Sequence, residues 1–257
     1  MRRFVLIILW FVFALTAPRA AAPRPTPVLV ELFTSEGCSS CPPADTLLQN
    51  LVDSQPIAGA EVIALGQHVD YWDELGWTDR FSSAALTGRQ REYGRAFASD
   101  SIYTPQMVVD GQSEYVGSDA AAVRRAIAKA VSLPHAAVSM TIEASGADRF
   151  AVSVAAAELP TLSRGDRADI VIAVVENGLR SQVHAGENSG RLLTHAAVVR
   201  TMTSIGDATP AQTAARTEVT IAPTWQRKHV KVVAFVQERV SRRVLGAAAM
   251  ALPGARR

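Results

Sequence analysis

Cys38 and Cys41 are the only thiols in the 257-residue chain, and only Ser39 and Ser40 stand between them. Thiols this close serve as a redox couple, as half of a metal site or as a short staple. The staple is the weakest reading. Closing a four-residue loop contributes about 2 kcal/mol of chain entropy, against roughly 4 to 5 for a loop near 100 residues. Zinc is also poorly served, because two cysteines do not complete a tetrahedral site. A soft Cu(I) ion would take Cys38, Cys41 and His68 as its set. The competing role for His68 is a hydrogen bond to Asp70 or to backbone at a strand end. The redox reading needs a thiol stabilised as thiolate, which a helix N-terminus supplies. There Cys38 is the exposed nucleophile, Cys41 the resolving thiol, and Ser39 and Ser40 tune the couple.

Two other clusters could carry chemistry. Asp70, Tyr71, Trp72, Asp73, Glu74 and Trp77 share one loop, and carboxylates beside aromatics suggest sugar-bond hydrolysis. Close spacing within a loop gives no productive geometry for that reaction. The loop is instead expected to lay its tryptophans, Trp72 among them, over the rim of the cysteine site and to keep its acids in water. Farther on, His184, Glu187 and His195 invite a metal or triad reading. Gly186, Asn188, Ser189 and Gly190 make a turn, however, and His195 falls in a strand. Ser189 lacks the glycine two residues before it that a nucleophile elbow requires.

The strands and helices around the cysteines are legible from periodicity. Residues 28–34 are short, β-branched and aromatic, and read as a buried strand. After the cysteines, Leu47, Leu48, Leu51 and Val52 have helical spacing, with Pro42 and Pro43 suited to a first turn. That places Cys38 at or just before the helix start. A second buried strand covers 61–68, and 82–98 forms a helix weakened by Gly88 and Gly94. Residues 106–109 and 113–116 make a hairpin turned at Asp110-Gly111. A helix follows, capped by Ser118 or Asp119, with Val123, Ile127 and Val131 inward. The expected domain of 28–133 therefore has the order β-α-β-α-β-β-α. Beyond a boundary at Pro134, residues 135–252 alternate short apolar runs with turns, the pattern of an antiparallel sandwich.

The first of these regions resembles the thioredoxin fold, in which a Cys-x-x-Cys opens the first helix and faces a cis-proline. Thr104-Pro105 stands just before the strand at 106. The resemblance implies that Thr104 and Pro105 pair with an extended substrate segment. More closely, ELFTSEGCSSCPPAD, the His68–Phe81 pattern HVDYWD-LGW-D-F, YTPQMVVDG and GENSGRLLTHAAVVR resemble a family of secreted bacterial thioredoxin-like proteins described only as a domain of unknown function. That resemblance runs from about Val28 to about Leu252. The chain departs from classical thioredoxins in having Gly37 before Cys38, no proline between the cysteines, and two prolines after Cys41. The expected fold class is an α/β thioredoxin-like domain followed by a mostly antiparallel, sandwich-like second domain. The expected function is thiol–disulfide oxidoreduction, with a copper-binding module or a non-catalytic interaction protein as alternatives.

Composition limits the partners. Arg2 and Arg3 precede an unbroken apolar run from Phe4 to Leu15, and small residues follow at Ala20, Ala21 and Ala22. This reads as a cleavable signal peptide over 1–22. Twelve apolar residues in a helix span about 18 Å, short of a roughly 30 Å bilayer core. Residues 23–27 follow as an extended tail, and 253–257 as a C-terminal one. The chain has 26 Lys+Arg against 24 Asp+Glu, but three arginines and no acid lie in the first 22 residues. The remainder is close to neutral, so neither nucleic acid nor an anionic membrane is an expected partner. Protein thiols or disulfides in the periplasm, or beyond it, are the expected partners, and no cofactor is expected.

Overall fold

The computed structural model describes residues 24–209 and 213–254. The leader over 1–22 and the last three residues of the C-terminal tail lie outside the described residues. The apolar run after Pro27 forms β1 (Thr26–Thr34), whose residues from Val28 onward are all buried. Thr26 and Pro27 already pair with Ala60 and Glu61, so the tail expected over 23–27 is partly strand. Helix α1 (Pro42–Ser54) carries its two prolines in the first turn, where backbone N–H groups have no helical partner, and buries Leu47, Leu48 and Leu51. It is the crossover that lets β2 (Ala60–His68) lie parallel to β1. A 3-10 turn at Asp73–Leu75 and helix α2 (Ala84–Ala96) follow.

Strands β3 (Gln106–Val109) and β4 (Ser113–Val116) form the hairpin. Its turn residues Asp110 and Gly111 both have positive φ, 46° and 62°, as a type I′ turn requires. Helix α3 (Ala120–Ala130) is capped by Asp119, which accepts the Ala122 N–H. The rest is strand: β5 (Ala137–Ala144), β6 (Arg149–Ala157), β7 (Ala168–Glu176), β8 (Leu179–Gln182), β9 (Leu192–His195), β10 (Val198–Ala208), β11 (Ala214–Thr220), β12 (Val230–Glu238) and β13 (Val244–Ala251).

The expected fold class does not hold. Strand accounts for 42% and helix for 19% of the structure, so it is mostly β rather than an α/β domain followed by a separate one. One mixed eight-stranded sheet, in the order β13-β12-β7-β10-β2-β1-β3-β4, runs through both halves of the sequence. The join is β10, which pairs antiparallel with β7 over its length and parallel with β2 at Val198 opposite Gly66. A Cβ at Gly66 would lie 2.6 Å from the Ala196 carbonyl oxygen, so only glycine permits that approach. β10 escapes a reading by periodicity because its polar Thr, Ser and Gly residues interrupt the alternation.

Both faces of β7 are covered, which explains its continuous apolar sequence. Val171, Ala173 and Val175 share a core with α1, α3 and the β1–β3 strands. Ile170, Ile172 and Val174 face the other way, onto the three-stranded sheet β11-β6-β5. A buried polar knot also ties the halves together. Arg89 of α2 donates Nε and Nη2 to the two Glu31 oxygens at 2.7 and 2.9 Å, and Nη1 to Gln237 of β12 at 2.9 Å. Tyr93 completes it by hydrogen bonding to Glu31 and accepting from Gln237.

Candidate functional site

At the end of β1 the chain turns sharply before α1, and the cysteines sit in that turn. Cys38 and Cys41 are joined in a disulfide with Cα atoms 5.4 Å apart. Cys41, rather than Cys38, is the N-cap residue of α1. The exposure that the sequence leads one to expect of Cys38 is absent: both cysteines are completely buried. Ser39 and Ser40 remain exposed above them. Ser40 Oγ lies 3.4 Å from Cys38 Sγ.

The backbone of the cysteine turn is fastened from the far half of the sequence. The β8–β9 hairpin carries a loop whose Asn188 donates both side-chain hydrogens, to the Glu36 and Cys38 carbonyls, at 2.9 Å each. Arg191 orients that amide by donating to Asn188 Oδ1 at 2.7 Å. Next to it, Glu187 accepts the Ser39 N–H at 3.0 Å, and the Ser39 side chain together with that N–H holds its carboxyl below the usual range. Neither a triad nor a metal site forms from His184, Glu187 and His195. Their loop acts as a clamp on the cysteine turn.

Beneath the turn lies a buried set of acids and histidines. His195 Nε2 is 3.2 Å from Glu36 Oε1, and Trp77 donates to Glu36 Oε2 at 2.8 Å. Burial raises the Glu36 pKa and the neighbouring Asp79 adds to this, but the bonds from His195 and Trp77 prevail and hold it low. His68 Nδ1 is 2.6 Å from Asp79 Oδ2, so its partner is Asp79 and not Asp70. Burial likewise raises Asp79, and the attraction and hydrogen bond of His68, with the Glu36 and Phe81 N–H groups, bring it below normal. The His68 and His195 rings meet edge to face, with centroids 4.7 Å apart. Asp45, one turn into α1, accepts from Thr34 Oγ1 at 3.3 Å, and burial pushes its carboxyl up to about 7.

The Cu(I) set of Cys38, Cys41 and His68 does not assemble. His68 is committed to Asp79, and among the described residues no group of three or more His, Cys, Asp or Glu is placed to hold a metal. The aromatic loop does reach the cysteine turn. Trp72 packs against Gly37, where an added Cβ would meet its Cβ at 3.1 Å, and donates Nε1 to Thr104 Oγ1 at 2.9 Å. The Thr104-Pro105 bond is cis. Not all the loop's acids stay in water, since Asp73 accepts the Asp79 N–H and the Ser82 hydroxyl.

Sequence reasoning missed Glu36, Asp45, Asp79 and Asn188 as parts of this site. Asp45 and Glu36 carried one usable signal, their closeness to the cysteines in an otherwise buried stretch. Asn188 carried none, because it meets Cys38 across 150 residues.

The model of a family described as a protein of unknown function, DUF1223, matches residues 29–237. A crystal structure of a protein from Agrobacterium tumefaciens is similar at TM-score 0.68 and 25% identity, over 92% of this chain and 98% of that one. HBP35 of Porphyromonas gingivalis is similar at TM-score 0.58 and 14% identity, over 91% of this chain and 77% of that one, a likeness of fold alone. No curated protein matches the chain.

Proposed function

The chain belongs to the DUF1223 family, whose function is unknown, and from that premise we propose that it is an exported thiol–disulfide oxidoreductase with Cys38 and Cys41 as its redox couple. One observation carries the reading: the only two cysteines are bonded to each other at the start of a 13-residue helix, with the buried acid Asp45 one turn beyond. In the oxidising direction a partner thiolate attacks Cys38 Sγ. The Cys38–Cys41 bond breaks, a mixed disulfide forms on Cys38, and Cys41 leaves as a thiolate at the positive end of α1, where it is stabilised. The partner's second thiolate then attacks its own sulfur in the mixed disulfide and releases Cys38. Two electrons and two protons pass from the partner dithiol to the chain. A reduced chain meeting a partner disulfide runs the same steps backwards.

Burial of both sulfurs means that exchange follows release of the Asn188 clamp. Thr104 and Pro105, with Trp72 behind them, are the proposed edge for an extended partner segment, and Ser40 is the proposed tuner of Cys38. The test is trapping with a dithiol peptide and with glutathione. Cys41→Ser is expected to accumulate a mixed disulfide through Cys38, and Cys38→Ser to accumulate none. Absence of a trapped species in both variants, with no exchange between the wild type and glutathione, overturns the proposal.

A further inference from the structure

A cleft of about 630 Å³ opens between α2 and the strands β10 and β7, away from the disulfide. Its volume is that of a small-molecule site. Phe81 is the partition: its ring faces the cleft and also contacts the His68 and His195 rings at centroid distances of 5.4 and 5.7 Å. Trp225 forms another part of the wall.

The charges lining the cleft do not cancel. Arg89 is taken by Glu31, Arg242 by Glu92 at 3.2 Å, and Asp169 by Arg239. Two cations are left weakly matched. Arg200 has its nearest carboxylate, Glu176, at 3.8 Å, and Arg80 donates to a backbone carbonyl, that of Arg180, at 2.7 Å. Both guanidinium groups lie over the Phe81 ring, at 4.7 and 5.3 Å from its centroid, and Arg200 also lies over Trp225 at 5.1 Å. Burial and the repulsion of Arg80 hold Arg200 below the usual arginine range despite Glu176.

Two backbone features agree with a cavity kept for a ligand. The register of β10 against β7 shifts between Val199 and Thr201, so Arg200 sits on a bulge, the device that re-aims a strand side chain. Gly88 lies inside α2 on the cleft wall, and a Cβ there would meet nothing within 4 Å. No packing demands that glycine, though it weakens the helix.

We propose that this cleft binds a small organic anion with a planar ring, its acid group between Arg80 and Arg200 and its ring against Phe81 and Trp225. The test uses the fluorescent sulfonate 8-anilinonaphthalene-1-sulfonate and the neutral N-phenyl-1-naphthylamine, which has the same rings, on the full chain. The sulfonate is expected to bind saturably, one per chain, and at least about tenfold more tightly than the neutral compound, the worth of one charge-assisted bond. Arg80→Gln and Arg200→Gln should each weaken sulfonate binding about tenfold and leave the neutral compound unchanged. Gly88→Leu should abolish binding of both by filling the cleft, while improving helix propensity, so a folding failure is not the explanation. Unsaturable binding, equal affinity for the two compounds, or unchanged binding in the three variants overturns the proposal.

Discussion

Asp45 accepts a hydrogen bond from Thr34 and has the carboxylates of Glu36 and Asp79 for neighbours. Its pKa, about 7 in the fold against 3.8 when unperturbed, makes the folded chain bind more protons than the unfolded one across that interval. Stability from this group is therefore fully present below about pH 4 and is lost as pH rises towards 7 and beyond. Asp45→Asn keeps an acceptor for Thr34 but cannot ionise. The difference in unfolding free energy between wild type and Asp45→Asn should shift against the wild type by on the order of 3 to 4 kcal/mol between pH 4 and pH 8. Denaturant titrations at several pH values measure it, and parallel pH profiles for the two proteins would remove Asp45 from the account.

Among the elements, the β8–β9 hairpin closes the cysteine turn, mostly through Asn188. Its two bonds are worth about 1 kcal/mol each, and losing both raises the open population accordingly. Asn188→Ala is expected to speed reduction of the Cys38–Cys41 bond by a small phosphine about tenfold or more, read as thiol release. An unchanged rate would mean that the hairpin does not govern access. The elements around the cysteines were legible because each announces itself within a dozen residues: apolar runs at β1 and β2, prolines at the start of α1, an Asp-Gly turn between β3 and β4. The clamp was illegible because an asparagine in a glycine-rich turn looks like any loop residue until its partner is known. Glu36 with His195 and Asp79 with His68 were hidden for the same reason, since each pair joins separate elements.

At the scale of the whole molecule, misreading β10 produced the expectation of two domains. Nine of its eleven residues pair with β7 on one side, and Val198 pairs with β2 on the other, which places both halves in one sheet. The Glu31–Arg89–Gln237 knot makes the same point energetically. Arg89→Met leaves Glu31 buried without its cation, and should cost about 3 to 5 kcal/mol in a single unfolding transition. Calorimetry and denaturant titration check both the size and the singleness of that transition. Two separated transitions would mean that the halves fold as independent units.

The clamp on the cysteines also sets an order in time. Synthesis delivers the chain from its N-terminus, so Cys38 and Cys41 emerge some 150 residues before the asparagine that will cover them. During that interval the Asn188 bonds to the cysteine turn do not yet exist. Once the β8–β9 hairpin docks, Glu187 and Asn188 fasten the backbone of that turn at Ser39, Glu36 and Cys38. The order of synthesis thus places the making of the disulfide before the docking that ties its turn down, and under the redox role proposed above a partner meets the couple only in its docked form.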